Sequence, residues 1–111
     1  MKIGSFNLET DGVFIIAELS ANHNGKLQNA LDAIKAAKDI GANCIKLQTY
    51  SADTMTLDCK KNDFMINQDT IWDGQYLYDL YIEASTPWEW HKELFEYARS
   101  IDIDIFSSPF D

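Results

Sequence analysis

The sequence predicts an α/β fold with a parallel sheet, and three observations point to it. Continuous apolar runs read as strands covered on both faces. A helical stripe of apolar residues lies between two of them, and a strong helix-start signal precedes a third run. Val13 to Ala17 (Val-Phe-Ile-Ile-Ala) is the first run, followed by the turn cluster Ser20-Ala21-Asn22-His23-Asn24-Gly25. From Leu27 the period changes: Leu27, Ala30, Leu31, Ile34, Ala37 and Ile40 share one helical face, with Gly41 where a C-terminal cap belongs. Cys44 to Gln48 reads as the second strand. Strand, helix and strand make a βαβ unit, right-handed by default.

Residues 49–85 delay the third strand and carry Phe64, Trp72, Tyr76, Tyr78 and Tyr81. Leu77, Leu80 and Tyr81 predict a short helix there, and the aromatic stretch reads either as a lid or as the packing of a long loop. Thr86-Pro87-Trp88-Glu89 predicts a helix start with Thr86 as N-cap and Glu89 closing a capping box. Trp90, Leu94, Tyr97 and Ala98 supply its buried stripe. Ile103 to Phe106 is the third strand, leading into Ser107-Ser108-Pro109. Met1 to Asn7 predicts a short strand at the barrel floor, with Asp11-Gly12 as a turn.

No Pro/Gly/Ser linker divides the chain. An open sheet of this kind leaves edges and apolar surface bare, whereas a closed eight-unit barrel needs about 250 residues. The expectation is that residues 1–111 are the N-terminal three βα units of a (β/α)8 TIM barrel, truncated after the third strand. Alone, such a piece is expected to be inactive and poorly folded.

Hydrophobic residues make up 46% and charged residues 24%, which excludes disorder. The net charge of -9 argues against a nucleic-acid partner, because phosphate backbones are held by Lys/Arg stripes. Cys44 and Cys59 do not form a CxxC pair, which suits a reducing cytosol. With no signal-peptide pattern and no apolar run near the ~20 residues of a membrane span, a soluble cytoplasmic protein without a membrane partner is expected.

In parallel α/β folds chemistry sits at the carboxyl ends of the strands. Glu18 ends the first apolar run and reads as an acceptor for substrate hydroxyls, a proton-transfer group, a solvent-facing strand terminus, or a helper that hydrogen-bonds the next loop. Lys46 lies between Ile45 and Leu47, so it points with Gln48 to the opposite face. An inward lysine requires an anion: a structural partner such as Glu18, a bound phosphate or carboxylate, or a Schiff-base role. Ser107 and Ser108 follow the third strand, where hydroxyls could bind an anion. Asn22 and His23 belong to the first loop, beside a helix N-terminus; His23 reads as a substrate contact or as loop-shaping, and His91 as structural. Neither histidine has metal-ligand spacing.

These motifs carry a resemblance. Ile15 to Gly25 (Ile-Ile-Ala-Glu-Leu-Ser-Ala-Asn-His-Asn-Gly), Ile45 to Tyr50 (Ile-Lys-Leu-Gln-Thr-Tyr) and Phe106 to Phe110 (Phe-Ser-Ser-Pro-Phe) resemble the sialic acid synthase family. Within it, Trp72-Asp73-Gly74, Leu77 to Tyr81 and Thr86 to His91 look most like the pseudaminic acid synthases. The resemblance implies a (β/α)8 barrel followed by a small antifreeze-like domain, working as a homodimer. It implies condensation of phosphoenolpyruvate with an amino-sugar aldehyde, aided by a divalent metal (Mn, Mg or Co) whose ligands lie outside this chain. By the same resemblance Glu18 contacts the sugar near its aldehyde and Lys46 binds phosphoenolpyruvate. Gln48 contacts the sugar, Ser108 stands at the phosphate, and Asn22 and His23 belong to the family's first loop. The rival expectations are a sialic or legionaminic acid synthase, a lyase or aldolase with a Schiff base on Lys46, and an inactive fragment acting only as a binding module.

Overall fold

The computed structural model describes residues 1–111. A short antiparallel hairpin, β1 (Lys2–Ile3) and β2 (Phe6–Asn7), precedes a three-stranded parallel sheet. Its strands stand in the order β3 (Ile16–Glu18), β4 (Cys44–Thr49) and β5 (Asp104–Pro109). Helix α1 (Leu27–Asp39) joins β3 to β4. Between β4 and β5 run α2 (Ala52–Met55), a 3-10 turn (Asn62–Phe64), α3 (Leu77–Ala84) and α4 (Trp90–Ser100). None of these helices is long and apolar enough to cross a membrane.

Helix α1 forms where the apolar stripe predicts it, and Ala30, Ile34 and Ala37 are its buried residues. Past its C-terminus the backbone turns left-handed at Gly41 (φ 91°), a conformation that glycine adopts without a Cβ clash. Gly41 N–H then bonds Lys38 O and Ala42 N–H bonds Ala37 O, the two bonds of a Schellman cap. Helix α4 stops in the same way with Asp102 (φ 58°) in the glycine's place: Asp102 N–H bonds Arg99 O and Ile103 N–H bonds Ala98 O. Ile103, expected in the third strand, is therefore part of the helix stop, and the strand runs instead from Asp104 to Pro109.

Two further expectations are corrected. The first strand starts later than Val13, because β4 starts at Cys44 opposite Ile16 and only the Ile15 carbonyl reaches it from before that point. The Ile15 N–H turns to the Asn43 side chain instead, and Val13 is 81% exposed. Helix α4 begins at Trp90, with no side-chain cap at its start. Trp90 and His91 N–H groups bond the carbonyls of Pro87 and Trp88, and the Thr86 hydroxyl is engaged by His23. The genuine capping box lies at α2, where Ser51 and Thr54 bond reciprocally.

The core lies on one side of the sheet. Ile34, Ala30 and Ala37 of α1 and Leu94 and Ala98 of α4 pack with Leu19, Ile45, Leu47 and Ile103. Small alanines let both helices approach the strands closely. No helix covers the other face, where Ile16 and Phe106 are 46% and 39% exposed. The radius of gyration is 16.5 Å, against about 13 Å for a compact domain of this size.

The exposure of Ile16 and Phe106 on an uncovered sheet face has a measurable consequence. In isolation the 111-residue chain is expected to bind a dye such as ANS and to self-associate as its concentration rises. A monomer that melts cooperatively and binds no dye would contradict this description.

Candidate functional site at the strand ends

Register determines which side chains meet. In the parallel ladder Glu18 stands opposite Lys46, Lys46 opposite Phe106, and Gln48 opposite Ser108. Because Ile45 and Leu47 point into the core, all four polar residues lie on the uncovered face, toward the carboxyl ends of the strands.

Lys46 Nζ donates to Glu18 Oε2 at 2.7 Å. The two side chains retain 29% and 40% of their exposure, so water weakens the attraction and the pair adds about 0–1 kcal/mol to stability. An ammonium has three N–H donors, so a single bond to Glu18 leaves capacity for a second anion. The other carboxylate oxygen, Glu18 Oε1, accepts from the Ser20 hydroxyl at 3.0 Å.

Ser107 and Ser108 part company. Ser107 faces the helices and its hydroxyl meets that of Thr49, which in turn contacts His91 Nε2 at 2.6 Å. His91 Nδ1 lies within 3.3 Å of the Pro87 and Trp88 carbonyls, so the ring ties the strand ends to the start of α4, a structural role. Ser108, one residue on, takes the uncovered face beside Gln48.

His23 is fully buried. Its Nδ1 accepts from Gly25 N–H at 3.1 Å, which leaves Nε2–H to donate to Thr86 Oγ1 at 3.2 Å. Trp90 packs edge-on at 5.2 Å. Both ring nitrogens are thus engaged inside the chain, one by the first loop and one by Thr86. Asn22 stays exposed, its amide donating to Leu19 O at 2.9 Å.

Asn22 also lines a cavity of about 520 Å³ with Ser20, Asn24, Tyr50, Trp72 and Tyr81. The aromatic segment thus forms a wall beside the first loop. A turn held by Asp73 carries this wall: its carboxylate accepts from the N–H groups of Gln68, Asp69 and Thr70. Those bonds hold its pKa below the ordinary carboxylate value. Ser20 and Tyr50 lie in motifs of the sequence, but those motifs do not mark their place on the cavity wall, since one owes it to a left-handed turn and the other to a remote aromatic partner, Tyr81.

No group of three or more His, Cys, Asp or Glu side chains stands together as a metal site, and both imidazoles are already engaged. These residues do not fit the divalent metal that the resemblance implies.

Burial disfavours the charged ring and pushes the His23 pKa below its ordinary 6.5. A proton on Nδ1 would also displace the Gly25 N–H. The stabilisation from neutral His23 is therefore complete above the unfolded value of about 6.5 and is lost as pH falls below it. NMR of the imidazole nitrogens is expected to show the Nε2–H tautomer, titrating below 6.5, with Gly25 amide protection lost in step. Titration at or above 6.5 would contradict this assignment.

Comparison with known proteins agrees with the family resemblance. The NeuB family matches residues 33–111. Pseudaminic acid synthase of Campylobacter jejuni is 54% identical over 110 residues, covering 99% of this chain and 32% of that protein. Pseudaminic acid synthase of Helicobacter pylori is 56% identical over 96 residues, 86% of this chain and 28% of that one. The crystal structure of N-acetylneuraminic acid (sialic acid) synthetase from Leptospira borgpetersenii, in complex with citrate, superposes with a TM-score of 0.69 at 31% identity. It covers 89% of this chain and 30% of that one. The chain thus spans about a third of the length of the curated relatives it matches. By sequence and by fold, the chain belongs to the NeuB family, the sialic acid synthases that its strand-end motifs resemble.

Proposed function

We propose that residues 1–111 form the N-terminal three βα units of a (β/α)8 barrel enzyme, a pseudaminic acid synthase. The reaction condenses phosphoenolpyruvate with an open-chain 2,4-diacetamido-2,4,6-trideoxy hexose, giving a nonulosonic acid and phosphate. The observation that carries this reading is the single uncovered sheet face bearing Glu18, Lys46, Gln48 and Ser108, in a chain 54% identical to a pseudaminic acid synthase. In a closed barrel that face is the interior, and its carboxyl-terminal end is where barrel enzymes carry their chemistry.

Carbon 3 of phosphoenolpyruvate forms a bond to the aldehyde carbon, whose oxygen takes up a proton. Water adds its oxygen at carbon 2, and the C–O bond to phosphate breaks, releasing inorganic phosphate and leaving the 2-keto acid. Negative charge on the aldehyde oxygen and on the departing phosphate calls for preorganised donors in a site closed to water. In this reading Lys46 donates to phosphoenolpyruvate and Ser108 stands at its phosphate. Glu18 and Gln48 orient the sugar near its aldehyde, with Asn22 in the adjoining loop and His23 shaping that loop. In this reading the ligands of the divalent metal lie outside residues 1–111. The complete enzyme, in the same reading, adds the rest of the barrel and an antifreeze-like domain and works as a cytoplasmic homodimer.

A chimera tests the reading. This chain replaces the matching third of the Campylobacter jejuni enzyme, and the products formed from each candidate amino sugar are identified. Pseudaminic acid formation is expected, and Lys46→Met is expected to lower kcat/KM by about a hundredfold or more. Sialic or legionaminic acid as the preferred product would favour the sister synthases. Covalent trapping of substrate on Lys46 by borohydride would favour a Schiff-base lyase. An inactive chimera that folds would contradict the enzymatic reading altogether.

A further inference from the structure

We infer that Ser20 is a positioning residue that holds the Glu18 carboxylate in its working orientation, an inference that rests on the synthase reading above. Two independent features of the structure support it. The Ser20 backbone is left-handed (φ 48°), a conformation that costs a residue with a side chain and that glycine would adopt freely. Its hydroxyl reaches back to Glu18 Oε1 at 3.0 Å.

The turn itself does not require a hydroxyl at this position. It is closed by Asn22, whose backbone N–H and side-chain amide both donate to Leu19 O at 2.9 Å. It is anchored by Leu19, buried in the core, whose N–H bonds Lys46 O at 2.9 Å. Ser20 is the first central residue of that turn, where a positive φ favours glycine. A serine here carries the backbone strain and spends its one hydroxyl donor on the carboxylate.

That contact matters because the two carboxylate oxygens have different partners. Lys46 Nζ holds Oε2 at 2.7 Å and Ser20 Oγ holds Oε1, so rotation about the terminal torsion of Glu18 is blocked. Without the hydroxyl, the carboxylate can turn and present both oxygens to the ammonium. Lys46 would then give more of its donors to Glu18, and Glu18 would lose its aim toward the substrate. Ser20 also lines the cavity walled by Trp72 and Tyr81.

Three substitutions in the chimera separate positioning from turn stability. Ser20→Gly removes the hydroxyl and relaxes the backbone. Ser20→Ala removes the hydroxyl and keeps the strain. Ser20→Thr keeps the hydroxyl and adds a branched side chain to a left-handed position. The expected melting order is glycine at or above serine, with alanine and threonine lower. The expected kcat order is different: threonine close to serine, with glycine and alanine lower by roughly tenfold to a hundredfold. KM for phosphoenolpyruvate is expected to rise in the glycine and alanine variants, where Lys46 gives more of its donors to Glu18, and to stay near the serine value in the threonine variant. Rate following stability, or a glycine variant as fast as serine, would overturn the inference. An inactive unsubstituted chimera would remove the synthase reading and this inference with it.

Discussion

The central strand β4 has to serve two environments at once, and the rest of the structure depends on how it does so. Ile45 and Leu47 are 2% and 0% exposed beneath α1 and α4, so Lys46 and Gln48 are held to the other face by the two-residue period of a strand. A slip of one residue would bury an ammonium under the helices and expose two core residues, which makes the register strongly determined. The neighbouring strands follow that register. Glu18 meets Lys46 on one side and Ser108 meets Gln48 on the other. One packing constraint thus assembles four polar residues on a face that no helix covers.

The polar groups around the strand ends divide by face. On the helix side, Thr49, Ser107 and His91 satisfy one another, and His23 is shared between Gly25 and Thr86. Buried polar atoms must be paired in this way, and once paired they fix the loops rigidly. On the open side, Lys46 and Ser108 keep hydrogen-bonding capacity. A chain with a net charge of -9 offers few sites to an anion, so a lysine with donors to spare at the strand ends is the natural place for one.

Much of this arrangement is legible in the sequence because it follows from local period. The stripe from Leu27 to Ala37, the stop at Gly41 and the outward turn of Lys46 need only the spacing of apolar residues. What could not be read depended on distant partners. Val13 and Phe14 look like strand, yet the strand they would join begins only at Cys44, opposite Ile16. Thr86 has the sequence of an N-cap, yet a histidine 63 residues away engages its hydroxyl. Ser20 is legible as part of a turn cluster, yet the partner of its hydroxyl is not, because that contact comes from a positive φ and from a carboxylate already tied to β4.

The central claim is that the Glu18–Lys46 face receives phosphoenolpyruvate. Lysine-selective labelling of the chimera, quantified at each lysine with and without phosphoenolpyruvate, tests it most directly. Protection of Lys46 by phosphoenolpyruvate, with Lys35 and Lys60 labelled as before on their exposed ion pairs, is the expected result. Equal labelling of Lys46 in both conditions, while catalysis proceeds, would contradict it.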